Sequence, residues 1–187
     1  MEQNNVQESS NWVSTPIAPW RRYFARLFDI TFFGITGFFS LGFIGYSLAP
    51  AAADAFFSQI NPILDMILTA LMGFILSGLV MGFVGSTIGK AIFGIRVRNL
   101  DGQTIGPIKG LMRDLNAYVR GAAFGIPLLL LISLYMAWSK LKKQGTTSWD
   151  EGRYIVTYRK SSGYQTTLTV IGIILYILMI LLVKALE

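Results

Sequence analysis

Four apolar stretches, residues 27–49, 63–84, 121–138 and 166–183, decide what this chain can fold into. A bilayer's hydrocarbon core is about 30 Å thick, and a helix rising 1.5 Å per residue needs about 20 residues to cross it. Each stretch comes near that length. In hydrocarbon, backbone donors and acceptors must be satisfied within the segment, so apolar runs of this kind become helices. The chain has 187 residues, 53% of them hydrophobic and 14% charged, with mean hydropathy +0.53, so little is left for a soluble core. The expected class is an all-α integral membrane protein with three or four transmembrane helices and a small cytosolic β-hairpin or sheet. Residues 1–18 are expected to be a disordered tail, 19–160 the membrane domain and 161–187 an additional C-terminal transmembrane helix.

The chain has no cysteine and no histidine. That excludes disulfides, thiolate metal sites, cysteine nucleophiles, Ser-His-Asp machinery and histidine proton relays. Proton chemistry is left to ten acidic residues, most of them in tails and loops. The expectation is a non-enzyme without cofactor or metal. The net charge of +6 does not point to nucleic acid, because the basic residues flank the apolar runs. There they act as topology signals and meet anionic lipid headgroups, so membrane lipid is the expected partner.

Basic residues Arg21, Arg22 and Arg26 open the first stretch, whereas residues 50–62 carry Asp54 and no lysine or arginine. The positive-inside rule therefore places the N-terminus in the cytosol. After the second stretch come Lys90, Arg96, Arg98, Lys109 and Arg113, and the chain is back inside. The third stretch is followed by Lys140, Lys142, Lys143, Arg153, Arg159 and Lys160, which also call for the cytosol. One crossing cannot have both ends inside. Either the stretch is re-entrant, broken at Gly125-Ile-Pro127, or it crosses into an unusually basic outer loop. Residues 94–105 read as a strand, an Asp-Gly turn and a return strand, and residues 153–160 alternate in the same way. Pairing the two segments in one sheet favours a common side. Between them Lys109, Arg113, Asn116 and Arg120 form a polar stripe opposite Leu111, Leu115, Val119 and Ala122, the pattern of an interfacial helix.

Arg22, Arg26 and Asp29 lie at i, i+4 and i+7, on one helical stripe at the mouth of the first apolar run. An unpaired carboxylate in hydrocarbon costs about 2.5–3.5 kcal/mol, and the two arginines are the partners this spacing offers Asp29. The cluster reads as an ion or proton site, or as a headgroup anchor with a neutralised aspartate. Asp65 follows Asn61-Pro62 and reads as a first-turn acid behind an N-cap. Gly78-xxx-Gly82, Gly85-xxx-Gly89 and Gly121-xxx-Gly125 have the spacing for close helix approach, within one chain or in a homo-oligomer. The segment Gly85-Ser-Thr-Ile-Gly89-Lys90 is not a phosphate loop, since its leading position is Val84 and Ala91 follows the lysine. Arg21-Arg22-Tyr-Phe24 imitates a twin-arginine signal, but Asp29 and the length of the run favour a retained helix.

Four blocks in order resemble the RDD family of bacterial membrane proteins. They are Trp20-Arg-Arg-Tyr-Phe-Ala-Arg26-Leu-Phe-Asp29; Gly85 to Lys90 continuing through Gly94 to Val97, then Asp101-Gly102; Arg113; and Trp149-Asp150. The resemblance runs over about residues 19–158 and departs from the family pattern after Asp150, where Glu151-Gly-Arg-Tyr follows. It implies structural motif positions at Gly89, Lys90, Gly94, Arg113 and Asp150. Some members are associated with sodium/proton antiport, which implies an ion site at Asp29 modulated by Arg26. The alternative is a non-catalytic scaffold that holds a protein partner or lipid on its basic cytosolic face.

Overall fold

The computed structural model describes residues 12–13, 18–125 and 127–186. Helix α1 (Pro19–Leu48) is followed by the short α2 (Pro50–Phe57) and by α3 (Pro62–Val84). Then come α4 (Ile88–Ile92), strand β2 (Ile95–Asn99), α5 (Pro107–Ala122), α6 (Pro127–Gln144), β3 (Tyr154–Arg159) and α7 (Gly163–Leu186). A two-residue strand β1 (Trp12–Val13) precedes them all. Among the described residues three helices are long and apolar enough to cross a membrane: α1, α3 and α7. The third apolar stretch is not one of them.

That stretch is broken where the sequence marked it. Ala123 and Phe124 adopt left-handed backbone conformations (φ 45° and 60°), and α5 ends there. The two limbs form a hairpin. Helix α5 runs antiparallel along α3, with Pro107 against Gly82, Leu111 against Gly78, and the Tyr118 ring 5.3 Å from that of Phe74. The Tyr118 hydroxyl donates to the carbonyls of Ile67 (3.2 Å) and Phe124 (3.0 Å), which ties the tip of the hairpin to α3. Helix α6 then returns, and β3 pairs antiparallel with β2, from Ile95↔Tyr158 to Asn99↔Tyr154. Both feet of the hairpin therefore stand on one side, as the re-entrant reading requires.

Three expectations need correction. Helix α5 keeps only part of the expected outward polar stripe: Lys109 and Arg120 are exposed and Asn116 is half-buried, but Arg113 is buried with Asp114, Ala117 and Tyr118, whereas the apolar Ile108, Met112 and Val119 are exposed. Arg113 and Asp114 turn inward because they find charged partners there. Second, residues 94–105 do not close as a hairpin. The Asp-Gly turn forms, with Gly102 at φ 76°, but Ile105 plugs the space beside Met81 and Val97, and β3 takes the pairing edge of β2. Third, within the expected tail, Trp12–Val13 adds a strand to β3, giving the order β1-β3-β2. The rest of the expected disordered tail lies outside the described residues.

Glycine positions decide how closely the helices approach. A Cβ on Gly34 would sit 2.6 Å from the Thr69 carbonyl oxygen, and one on Gly73 would sit 2.6 Å from that of Ile30. Only a missing side chain lets the α1 and α3 backbones meet this way. The Gly78-xxx-Gly82 pair is used inside the protomer, against Gly106, Pro107, Gly110 and Leu111 of the α5 region. At the start of α3, Asn61 accepts from the Leu64 backbone N–H (2.9 Å) with Pro62 in the first turn, as expected of a cap. Helix α7 is tied to the rest near its start, where Gln165 donates to the Ile92 carbonyl (3.0 Å).

Candidate functional site

The polar core of the protein lies where α1, α3, α4, α5 and the loop before β3 converge. Asp29 sits ten residues into α1, about 15 Å along the helix from Pro19. It is buried, and its partners come from α4. Thr87 caps α4 and orients its first turn. The Thr87 hydroxyl donates to Asp29 Oδ2, the Gly89 backbone N–H donates to Oδ1 (2.8 Å), and Lys90 Nζ lies 3.3 Å from Oδ2. Gly89 must be glycine for this fit, since a Cβ there would stand 2.8 Å from Asp29 Oδ1.

The expected pairing of Asp29 with Arg22 and Arg26 is therefore wrong. The helical spacing is right, but each arginine reaches across to a different element. Arg22 Nη1 lies 3.3 Å from Asp150 Oδ2, and Arg22 Nε donates to the Tyr158 hydroxyl. Arg26 contacts Asp114 at 3.9 Å and is sandwiched between the rings of Phe74 (5.3 Å) and Trp149 (5.2 Å). Among the described residues, Arg26 Nη1 is the buried side-chain nitrogen or oxygen without a hydrogen-bond partner.

Two further carboxylates complete the network. Asp114 accepts from Ser77 Oγ (2.9 Å) and Arg113 Nη1 (2.9 Å), and Lys90 Nζ stands 3.8 Å away. Asp150 accepts from Arg113 Nε (2.7 Å) and from the Thr147 hydroxyl (2.8 Å). Burial pushes the Asp150 carboxyl up, but Arg113, Arg22 and these hydrogen bonds outweigh it and hold it below the ordinary carboxylate range. Four cations thus share three carboxylates, a surplus of one positive charge.

The remaining motif positions have structural jobs. Gly94 turns the chain from α4 into β2 at φ 61°, a conformation that favours glycine. Arg21, for which the sequence suggested no structural role of its own, donates to the carbonyls of Phe93 (2.7 Å), Gly94 (3.0 Å) and Arg159 (3.0 Å). Asp65 stands apart from the network, exposed in the first turn of α3, where it accepts from Thr69 Oγ1 (3.3 Å). Sequence reasoning missed Asp114, Thr87 and Ser77. The Arg113-Asp114 dipeptide was the available signal for the first, since two adjacent charges in a helix that packs between apolar runs need partners.

The order of the motif blocks, now gathered round one buried network, is matched by the sequence model of the RDD family over residues 17–151. The chain belongs to the RDD family. RDD proteins are membrane proteins, in keeping with the three apolar helices of this one. The matched span ends at Asp150 and Glu151, so it takes in every charged member of the buried network and leaves β3 and α7 outside. No curated protein and no solved structure matches this RDD protein.

A cavity of about 870 Å³ borders the network. It runs over α1 between α6 and α7, with Arg22, Arg26 and Asp150 at one end and Ile35, Asp65 and Val183 towards the other.

Proposed function

We propose that this RDD protein exchanges a cation such as sodium for a proton across the membrane, at the place the Lys90 ammonium occupies. The observation that carries this reading is the oxygen cage round Nζ. Asp29 Oδ2 and Thr87 Oγ1 each lie 3.3 Å from it, and Asp114 Oδ2 lies 3.8 Å away. Carboxylate and hydroxyl oxygens are also what a small hard cation takes as ligands. Lys90 releases its proton, the neutral amine withdraws, and the cation takes its place between the two aspartates. One positive charge leaves as another enters, so the network keeps its charge. Arginine cannot play this part, because its guanidinium does not lose a proton in proteins. Arg26 and Arg113 instead fix Asp114 and limit how much further positive charge the site accepts.

The proposal places the N-terminus, the sheet and both feet of the hairpin in the cytosol of a bacterium, on the inner-membrane face. This orientation rests on the lysines and arginines that flank the helices on that side. With α1, α3 and α7 crossing, the end of α7 then lies outside. A chain with three crossing helices is proposed to work as a homo-oligomer, without enzymatic chemistry of its own.

Lys90→Arg is the decisive variant. It keeps the charge and its attraction to Asp29, yet it should abolish sodium-dependent proton movement in everted vesicles while the protein still inserts and stays monodisperse in detergent. Asp29→Asn should abolish the same signal. Exchange at the normal rate in Lys90→Arg would overturn the mechanism, and exchange preserved in both variants would overturn the function.

A further inference from the structure

We propose that the groove over α1, between α6 and α7, is a binding site for one anionic phospholipid. Its phosphate lies at Arg26 and Arg22, and an acyl chain lies along the apolar wall. The cavity's volume of about 870 Å³ is in the range of ligand sites. Its wall is apolar along the membrane, formed by Leu27, Ile30 and Ile35 of α1, Leu134 and Ala137 of α6, and Ile180 of α7. Its mouth carries Trp20, Tyr23 and Trp138, exposed amphipathic rings of the kind that sit at headgroup level.

The charge balance selects the headgroup. The buried network has four cations and three carboxylates, and the surplus falls on Arg26. The carboxylate in ion-pair contact with it, Asp114 at 3.9 Å, is held more closely by Arg113 and Ser77, and Arg26 Nη1 has no hydrogen-bond partner. Arg26 and Arg22 both border the groove, with side chains 23% and 16% exposed. A phosphodiester there brings the missing negative charge, and basic pockets between transmembrane helices hold anionic headgroups in this way. A free phosphate would leave the apolar wall uncovered. A second copy of this chain, itself carrying +6, would bring like charge towards a positive site.

Native mass spectrometry of the full chain, released from vesicles of equal phosphatidylglycerol and phosphatidylethanolamine, tests the site. One bound lipid per chain is expected, with at least tenfold preference for phosphatidylglycerol, and added inorganic phosphate should leave it in place. Arg26→Gln should lower the preference to less than threefold, and Arg26→Lys should keep at least half of it. Ala137→Trp fills the apolar wall and leaves the charge network untouched, so it should lose the bound lipid altogether. Four results would overturn the proposal: equal retention of the two lipids by the unaltered protein, displacement by phosphate, undiminished lipid in Ala137→Trp, or a dimer whose interface excludes lipid from the groove. Because the readout is bound lipid, failure of cation exchange leaves this outcome unaffected.

Discussion

The two ends of the α1–α3 pair are joined by different forces. Near the middle and towards α2, backbones meet through Gly34 and Gly73 and Gly37 packs against the Met72 and Leu76 side chains, and the contact is steric, short-range and indifferent to pH. At the other end the helices scarcely use each other. Asp29, Arg22 and Arg26 on α1 and Ser77 on α3 are joined through α4, α5 and the loop at Asp150. The glycine end is built from two segments and the charged end from five. A steric contact tolerates nothing larger than hydrogen, whereas an ion network tolerates rearrangement as long as every charge stays paired. The proposed exchange of one cation for another calls for the second kind of end.

The comparison breaks most severely at Arg113, which serves both Asp114 and Asp150. Arg113→Met leaves two buried carboxylates short of a partner, and removing one member of a buried pair costs about 3–5 kcal/mol. Thermal unfolding in detergent should show the largest fall of any single variant, and a fall no greater than that of an exposed arginine such as Arg153 would show the network to be dispensable. Asp150 gives the same end a pH signature. Its carboxyl lies below the ordinary range in the folded protein, so its stabilising contribution is complete above the unfolded value of about 3.9. That contribution disappears as pH falls through the lower folded value. The stability difference between the unaltered protein and Asp150→Asn should therefore be flat from pH 5 to 8 and shrink only below about pH 4. A difference that shrinks near neutral pH would contradict this.

At the glycine end, Gly73→Leu drives a side chain into the Ile30 carbonyl and should cost about 1–3 kcal/mol, the usual range for overpacking. Unlike the Asp150 effect, this loss should not vary between pH 3 and 8, and a pH-dependent loss would mean the two ends are coupled. At the start of α3, Asn61→Ala removes a cap and should cost about 1 kcal/mol. Asp65→Asn should cost the least, about 0.3–1 kcal/mol for a first-turn acid, and should leave cation exchange unchanged. Loss of exchange in that variant would bring Asp65 into the transport path.

Asp65 and Asp29 show which parts of the site were legible. Asp65 was correctly read as a first-turn acid behind an N-cap because the residues that position it, Asn61, Pro62, Leu64 and Thr69, all lie within four positions of it. Asp29 was correctly singled out, since a carboxylate at the mouth of an apolar run must be paired. Its partner was misassigned because helical spacing sees only the same helix, and Lys90 is 61 residues away. Asp114 was overlooked for the same reason. Its neighbours Ser77 and Lys90 come from α3 and α4, and no local pattern distinguishes a charge facing protein from one facing water.

The sequence by itself determined that this is a membrane protein; it marked Gly125-Ile-Pro127 as the place where the third apolar stretch could break, and it favoured pairing of the 94–105 and 153–160 segments in one sheet. It also determined membership of the RDD family, through short motifs whose order is fixed along the chain. Those properties depend on length, hydropathy and alternation, which are local. The tertiary structure alone decided that α5 turns Arg113 and Asp114 inward, that β3 rather than residues 103–105 pairs with β2, and that Arg22, Arg26 and Asp29 each take a different partner. Charge pairing in a low-dielectric interior is settled by whichever opposite charge arrives within about 4 Å, and which one arrives is a property of the packing of five segments together.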